Sequence, residues 1–132
     1  MLCRSRSVDS GAVGAMLQYF TGDKQHNIRL RDFANRMGLS LNEYGITSLE
    51  TGLLEEFADE ESFYSRLGLP WFPPEIRAGV WEMDAALEGR LPRLVEEQDL
   101  RGDLHLHSEW SDGSDPIEKI VETGVSLGYE YM

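Results

Sequence analysis

The sequence predicts an α+β fold, in which helices accompany a short antiparallel sheet and an incomplete βα unit follows. Apolar residues recur at helical spacing between residues 12 and 37, whereas residues 39–57 alternate and contain turn signals. A further helical pattern over residues 115–128 stands between two strand-like segments, which is the arrangement of a βαβ unit. The length of 132 residues suffices for one ordinary domain or two small ones.

The individual elements follow from the apolar periodicity and from the residues that interrupt it. Gly22 and Gly38 are expected to stop the first two helices, and acids after Asp59 favour a helix start there. Three prolines within residues 70–74 exclude a regular helix in that stretch. Helices are predicted over residues 12–20, 23–37, 59–68, 81–88 and 115–128, and strands over residues 39–46, 51–57, 104–107 and, just begun, 129–132.

The composition is that of an ordinary globular protein. Apolar residues make up 41% of the chain and charged residues 27%, and both fractions are typical. No apolar run reaches the roughly 18 residues that a membrane span needs, and the first residues lack the apolar core of a signal peptide. A single cysteine, Cys3, excludes an internal disulfide framework. We therefore expect a cytoplasmic monomer without a membrane partner.

Charge is distributed unevenly along the chain. The formal net charge of -12 argues by itself against a nucleic-acid partner. Residues 1–36, however, carry six basic and three acidic residues, whereas the remainder carries six basic and 21 acidic residues. Such asymmetry suggests that only the amino-terminal part faces a polyanion. Ordinary surface variation remains the alternative, and charge alone does not decide between them.

Two of the three histidines, His105 and His107, are separated by one residue. On a strand such residues point to the same side, together with Asp103, so two imidazoles can face one metal ion. Asp112, in a Ser-Asp-Gly turn, can bring a carboxylate back over the strand end. These ligands suit zinc, manganese or iron, which can activate water and clamp a phosphate. A bare His-x-His pair is nevertheless more often a chance surface feature than a ligand pair.

The longer run Gly-Asp-Leu-His-Leu-His-Ser-x-x-Ser-Asp-Gly, over residues 102–113, resembles the first motif of the polymerase-and-histidinol-phosphatase (PHP) domain. The resemblance covers about residues 101–132. It implies the start of a distorted (β/α)7 barrel, in which histidines and acids from successive strand ends hold metals for phosphoester hydrolysis. By this resemblance His105, His107 and Asp112 are metal ligands, and the later ligands would lie beyond Met132.

A second constellation surrounds the sequence Tyr-Phe-Thr-Gly. Tyr19 and Phe20 end one predicted helix, and Gly22 allows a tight turn with close backbone approach. Asn27 and Arg31 are four residues apart and share a face of the next helix. Such side chains beside an aromatic pair could contact a nucleotide and a duplex groove. From the residues alone, a helical hairpin with core aromatics and solvated arginines is the favoured interpretation.

The order of these motifs changes that interpretation. Tyr-Phe-Thr-Gly, then asparagine five residues after the glycine, arginine four further on and Leu-Asn-Glu-Tyr at 41–44 resemble the polymerase-beta-like X family of DNA polymerases. Residues 67–77 resemble the end of its thumb domain in bacterial and archaeal members, which carry a PHP domain next. The resemblance implies a remnant of the last palm strand (1–9), a thumb domain (10–78), a linker (79–101) and the start of a PHP domain (102–132).

The resemblance also implies roles for the residues of the Tyr-Phe-Thr-Gly constellation. Tyr19 and Phe20 would lie along the sugar of the incoming nucleotide, and the Tyr19 backbone would discriminate against a ribose 2'-hydroxyl. Gly22 would sit at a cis peptide bond. Asn27 would reach the minor-groove edge of the nascent base pair, and Arg31 would contact the template side.

Two positions near the start of the chain bear on activity. Glu43 would pair with Arg6 in the open or closed state of the domain, as a conformational switch. The family's third palm aspartate should stand two residues before Arg6, where this chain has Arg4, and an arginine cannot ligate a metal cation. We therefore expect a truncated, frameshifted or wrongly started reading frame, with no catalytic residues and no template-dependent primer extension.

We interpret the sequence as the junction fragment of an X-family DNA polymerase of base-excision repair, whose PHP domain trims 3' ends or hydrolyses phosphoesters. The implied partners are gapped or primer–template DNA and dNTP. The implied cofactors are magnesium for the polymerase and zinc or manganese for the PHP domain, with both sites incomplete here. Two alternatives stay open, namely a non-catalytic DNA- or nucleotide-binding module and a metal-dependent PHP phosphoesterase unit.

Overall fold

The computed structural model of the chain describes residues 10–132. The chain divides into two compact units, one ending at Leu91 and the other comprising Pro92–Met132. The division falls inside the segment 79–101 that was predicted as a linker. The expected remnant of a palm strand over residues 1–9 lies outside the described residues.

The first unit is α+β, as predicted, with helices packed around a small antiparallel sheet. Its elements are α1 (Val13–Thr21), α2 (Lys24–Arg36), β1 (Leu39–Asn42), β2 (Gly45–Ser48), β3 (Leu54–Glu55), α3 (Glu60–Arg66) and α4 (Glu82–Leu87), with 3-10 turns at Ser10–Ala12 and Pro74–Ile76. The helices lie within a few residues of their predicted bounds. No helix among the described residues is long and apolar enough to cross a bilayer.

Aspartates begin two of these helices. The Asp23 side chain accepts a hydrogen bond from the His26 amide at 2.8 Å, and the Asp59 side chain accepts one from the Ser62 amide at 2.7 Å. Each bond satisfies an amide that has no carbonyl partner at a helix start. The Asp23 cap matters most for the site described below, because it fixes where α2 begins.

The sheet has the order β1-β2-β3 and is antiparallel throughout. Leu41 lies opposite Ile46 in the β1–β2 pair. The Asn42 side chain accepts hydrogen bonds from the Tyr44 and Gly45 amides, at 2.9 and 3.1 Å, and this closes a tight turn. The predicted single strand over residues 39–46 is therefore wrong, because that stretch already contains a hairpin turn.

The core of the first unit is shared by helices and sheet. Leu30 and Ala34 of α2, Ile46 of β2 and Phe63 of α3 are fully buried. Phe57 packs edge-on against Phe63, with ring centroids 5.5 Å apart. The remaining buried members of this cluster are Ala15, Leu39, Tyr64, Leu67, Leu69, Phe72, Met83 and Ala86. Because Met83 and Ala86 belong to α4, this helix is an integral part of the unit.

The second unit contains α5 (Ile117–Ser126) and a 3-10 turn at Glu97–Asp99. Gly102 and Tyr131, on either side of α5, form a single parallel bridge, which is the direction of pairing that a βαβ unit requires. The strand predicted over residues 104–107 is not formed, because extended backbone becomes a strand only where a neighbour pairs with it, and this unit provides one bridge at Gly102. The PHP barrel remains a prediction.

Candidate nucleic-acid interface

Tyr19 and Phe20 form an aromatic pair at the end of α1. Their ring centroids are 5.1 Å apart and their planes are inclined by 79°, the edge-to-face arrangement that aromatic rings favour. Phe20 is 71% exposed, so the core does not account for it. Its ring offers a flat apolar surface of the kind on which a sugar or base can pack.

Asn27 lies in the first turn of α2 and joins that helix to α1. Its Nδ2 donates to the Tyr19 carbonyl oxygen at 2.9 Å, and its Oδ1 accepts from Gln18 Nε2 at 2.6 Å. Both Asn27 and Gln18 are buried. The two hydrogen bonds therefore hold the carboxyl end of α1 against the amino end of α2 and leave Asn27 little freedom to reorient.

Arg31 lies one turn further along α2 and reaches back over Tyr19. Its guanidinium carbon is 5.9 Å from the centroid of the Tyr19 ring, which is within the range of a cation–π contact. Arg31 itself is exposed, so its charge stays accessible to a polyanion. The predicted contact residues Asn27 and Arg31 thus both touch Tyr19, and Phe20 packs on the same tyrosine.

Gly22 occupies the turn between α1 and α2. It is buried, with a φ of 72°, and the peptide bond that joins it to Asp23 is cis, as the resemblance implies. The Asp23 amide donates to the Arg77 carbonyl oxygen at 3.2 Å. The turn is therefore attached to the segment that precedes α4 as well as to its two flanking helices.

Glu43, the predicted switch residue, lies in the turn between β1 and β2 and is half-buried. Its expected partner, Arg6, lies outside the described residues. The pairing of Arg6 with Glu43 therefore stays a prediction.

Behind the interface lies a polar network that the sequence analysis missed. His26, next to Asn27 in the chain, has no exposed surface. Its Nδ1 lies 3.0 Å from Glu82 Oε1, and its Nε2 lies 3.0 Å from the Tyr64 hydroxyl. The ring also packs edge-on against Phe72, with centroids 5.1 Å apart. No local sequence pattern reveals this role of His26, because its partners are 38 and 56 residues away.

Glu82 anchors the other end of this network. Its carboxylate accepts hydrogen bonds from the amides of Gly79, Val80 and Trp81, at 2.5, 3.0 and 3.2 Å. Gly79 has a φ of 68°, and a Cβ there would lie 2.3 Å from the carbonyl carbon of Gln25. The segment before α4 is thus folded around one buried carboxylate and lies directly on the start of α2.

Arg77 is buried and forms an ion pair with the partly buried Glu60. Its Nη1 and Nη2 donate to the two carboxylate oxygens of Glu60 at 2.8 and 2.9 Å, and its Nε donates to the Phe72 carbonyl at 2.8 Å. The guanidinium lies 5.5 Å from the Tyr64 ring centroid, and Glu60 also accepts from the Trp71 indole at 3.0 Å. Such two-pronged pairing fixes both position and orientation.

Burial and pairing shift the protonation of these groups. Burial lowers the pKa of His26 below its ordinary value, and the nearby Glu82 opposes this only in part. Burial would raise the pKa of Glu82, but hydrogen bonds from His26 and the backbone outweigh it, so that pKa is lowered. Burial also raises the pKa of Tyr64. The network at neutral pH is therefore a carboxylate, a neutral imidazole and a neutral phenol.

The histidine motif of the second unit has a different geometry. His105 Nε2 and His107 Nε2 are 3.0 Å apart, and the rings are stacked with centroids 5.0 Å apart. Asp112 pairs with His107 Nδ1, while Asp103 accepts from the His105 amide at 2.9 Å. Within residues 10–132, no three histidine, cysteine, aspartate or glutamate side chains converge as a metal-binding group.

Part of the first unit matches a known family of domains. Residues 16–78 match the family model of the DNA polymerase beta thumb, a range that contains Tyr19, Phe20, Gly22, Asn27 and Arg31. Residues 16–78 therefore belong to the family of DNA polymerase beta thumb domains.

A particular relative extends the similarity along the chain. The protein named DNA polymerase/3'-5' exonuclease PolX, from Bacillus subtilis (strain 168), is 41% identical over 116 residues. These residues are 88% of this chain but 20% of the relative. The chain therefore spans about a fifth of the length of the relative it matches.

Proposed function

We propose that this chain supplies the thumb contacts of an X-family DNA polymerase to the incoming nucleotide and the nascent base pair. The relative's name, DNA polymerase/3'-5' exonuclease, supports polymerisation as the activity in which these contacts take part. The DNA would be a gapped or primer–template duplex, with a dNTP as the second ligand and magnesium as the polymerase cofactor. Repair synthesis in short gaps is the proposed setting.

The observation that carries this proposal is the contact set at the α1–α2 turn. Asn27 is bonded to the backbone of Tyr19, and Arg31 covers the ring of the same tyrosine. An amide donor, an aromatic surface and an accessible cation thus lie together at one corner of the thumb domain. These are the groups that bind base edges, sugars and phosphates, respectively.

Replacing Arg31 with alanine tests the interface. Fluorescence anisotropy with a labelled gapped duplex would measure affinity across a series of salt concentrations. We expect Arg31→Ala to weaken binding about three- to tenfold at low salt and to reduce the slope of log K against log salt by about one, because one phosphate contact is lost.

Arg90→Ala is the matched control, since Arg90 is an exposed arginine of the same unit that pairs with Glu88. It removes the same charge from the chain without touching the α1–α2 turn, so its affinity should stay near that of the unchanged chain. Equal losses in the two variants would reduce the effect to net charge and contradict the proposed interface.

The second unit supports a further candidate function, that of the first metal-binding motif of a PHP phosphoesterase or 3'-5' exonuclease domain. The facing Nε2 atoms of His105 and His107 carry this candidate, because two imidazole nitrogens at one point suit zinc or manganese. A bound metal would supply an activated water for phosphoester hydrolysis. Asp112, which orients His107, would either ligate the metal or hold the ring in place.

Calorimetric titration with zinc or manganese tests this second candidate. We expect weak binding, since two histidines and one aspartate leave the coordination shell incomplete, and His105→Ala should remove the binding that is present. Glu109→Ala is the control, because it changes an exposed acid in the same stretch. Binding that survives His105→Ala would exclude this motif as the metal site.

A further inference from the structure

The amide of Asn27 has a fixed orientation, and the reason begins at Tyr19. The Tyr19 carbonyl oxygen can only accept a hydrogen bond, so the Asn27 atom 2.9 Å from it must be the nitrogen, Nδ2. Asn27 Oδ1 then faces Gln18. Since an oxygen needs a donor, the Gln18 atom 2.6 Å away must be its nitrogen, Nε2.

The neighbouring buried network also has a fixed set of donors and acceptors. The Glu82 carboxylate can only accept, so His26 donates to it from Nδ1. Neutral His26 then has an unprotonated Nε2, which accepts the single hydroxyl hydrogen of Tyr64. The Tyr64 hydroxyl hydrogen is therefore directed to His26.

Gln18 is therefore the residue that fixes the Asn27 amide, because its Nε2 donates to Asn27 Oδ1. Gln18 is 4% exposed, so water does not replace this bond. In the part of the chain that the structure describes, this assignment leaves one Asn27 Nδ2 hydrogen without a protein acceptor, while its oxygen faces inward.

We propose that Gln18 is a positioning residue. It orients the Asn27 side chain so that one Nδ2–H group is directed to the bound ligand. The matching ligand atoms are minor-groove acceptors, the N3 of a purine or the O2 of a pyrimidine, which every base pair presents there. The inference rests on the proposed function for the identity of the ligand. A reversed amide would present an oxygen to those acceptors and would repel them.

The orientation itself is tested without DNA. In 1H–15N spectra of the whole chain, the Asn27 side-chain amide is the pair of signals that disappears in Asn27→Ala. Gln18→Met keeps the shape of the side chain but removes its donor. We expect the Asn27 signals to shift and to exchange with water at least several-fold faster in Gln18→Met, and to stay unchanged in the exposed control Gln98→Met.

The consequence for DNA is tested with a gapped duplex in which the terminal purine is replaced by its 3-deaza analogue, which lacks the N3 acceptor. The unchanged chain should bind the analogue about three- to tenfold more weakly, as expected for one lost hydrogen bond. Gln18→Met should bind both duplexes with similar affinity, and so should Asn27→Ala. The effects of the protein substitution and of the 3-deaza base on the binding free energy are then non-additive.

The NMR experiment and the DNA-binding experiment together distinguish failure of the positioning role from failure of the proposed ligand. An unchanged Asn27 signal in folded Gln18→Met overturns the positioning role, whatever DNA does. Retained discrimination between the duplexes in Gln18→Met overturns it as well. A shifted Asn27 signal together with no discrimination by the unchanged chain upholds the positioning role but contradicts the proposed ligand and, with it, the proposed function.

Discussion

His26 shows how a single buried residue can join distant parts of a small domain. It is fully buried and touches Glu82, 56 residues away, and Tyr64, 38 residues away. A buried carboxylate is costly unless it is paired, and Glu82 is paired by an imidazole and three backbone amides. No buried side-chain nitrogen or oxygen within residues 10–132 lacks a partner, so hydrogen bonds within the network offset the loss of water contacts.

The pH dependence of stability follows from His26. Its pKa in the folded chain is lowered from the ordinary value of 6.5 by burial. Folding therefore favours the neutral form of His26. The resulting contribution to the free energy of unfolding is fully present above pH 6.5 and is lost as the pH falls below that value. We expect the melting temperature to decrease between pH 7.5 and 5.5 when it is followed by circular dichroism.

His26→Phe should show a smaller decrease over the same interval, because the titrating group is gone. It should also be less stable at pH 7.5 by about 1–3 kcal/mol, since Glu82 and Tyr64 lose a partner. His105→Asn, which alters an exposed imidazole of the second unit, is the control and should keep the full pH dependence. Parallel curves for the unchanged chain and His26→Phe would rule out His26 as the source.

At the scale of elements, the contact between α1 and the start of α3 depends on one small residue. The Gly14 amide donates to the Phe57 carbonyl at 2.8 Å, and a Cβ at Gly14 would lie 2.1 Å from the Asp59 carbonyl oxygen. Asp59 caps α3, so its backbone cannot move away without disturbing that helix. The absence of a side chain at Gly14 therefore sets the distance between the two elements.

Gly14→Ala should destabilise the chain by about 1–3 kcal/mol, the usual cost of overpacking. Gly11→Ala is the matched control, because the nearest atom to its added Cβ is a flexible side-chain oxygen of Glu56 at 3.0 Å. Denaturant unfolding would measure both. If the denaturant midpoint of Gly14→Ala equals that of Gly11→Ala, α1 and α3 can separate without cost and the prediction is wrong.

Sequence patterns predicted the helices better than the sheet or the buried network. Helix bounds follow from local signals such as Asp23, Asp59 and the glycine after α2. The turn inside residues 39–46 depends on the Asn42 side chain folding back onto two amides, which apolar alternation does not reveal. The His26–Glu82 contact depends on packing across most of the unit. The Asn27 and Arg31 positions were predictable because helical spacing alone places them on one face.

At the scale of the whole chain, the two units differ sharply in burial. The first contains twelve buried residues in one apolar cluster. In residues 92–132, all of which the structure describes, Gly124 alone is buried, and Val95, Leu104 and Trp110 are 78%, 83% and 84% exposed. Hydrophobic burial is the main source of folding free energy, so the first unit should hold most of it.

Hydrogen–deuterium exchange with mass spectrometry can measure this difference. Peptides from α2 and α3 should exchange slowly, with protection near the global free energy of unfolding. Peptides from α5 and residues 102–113 should exchange at least a hundredfold faster, because little apolar surface holds them. Similar protection of the two units would contradict the burial that the structure describes.

The indole of Trp71 gives the network an optical reporter. It is 38% exposed and donates its N–H to Glu60, the carboxylate that holds Arg77. Trp81 and Trp110 are the other two indoles of the chain. With both replaced by phenylalanine, the emission wavelength of the remaining indole would follow the Glu60–Arg77 pair in real time during mixing with DNA, without any attached dye.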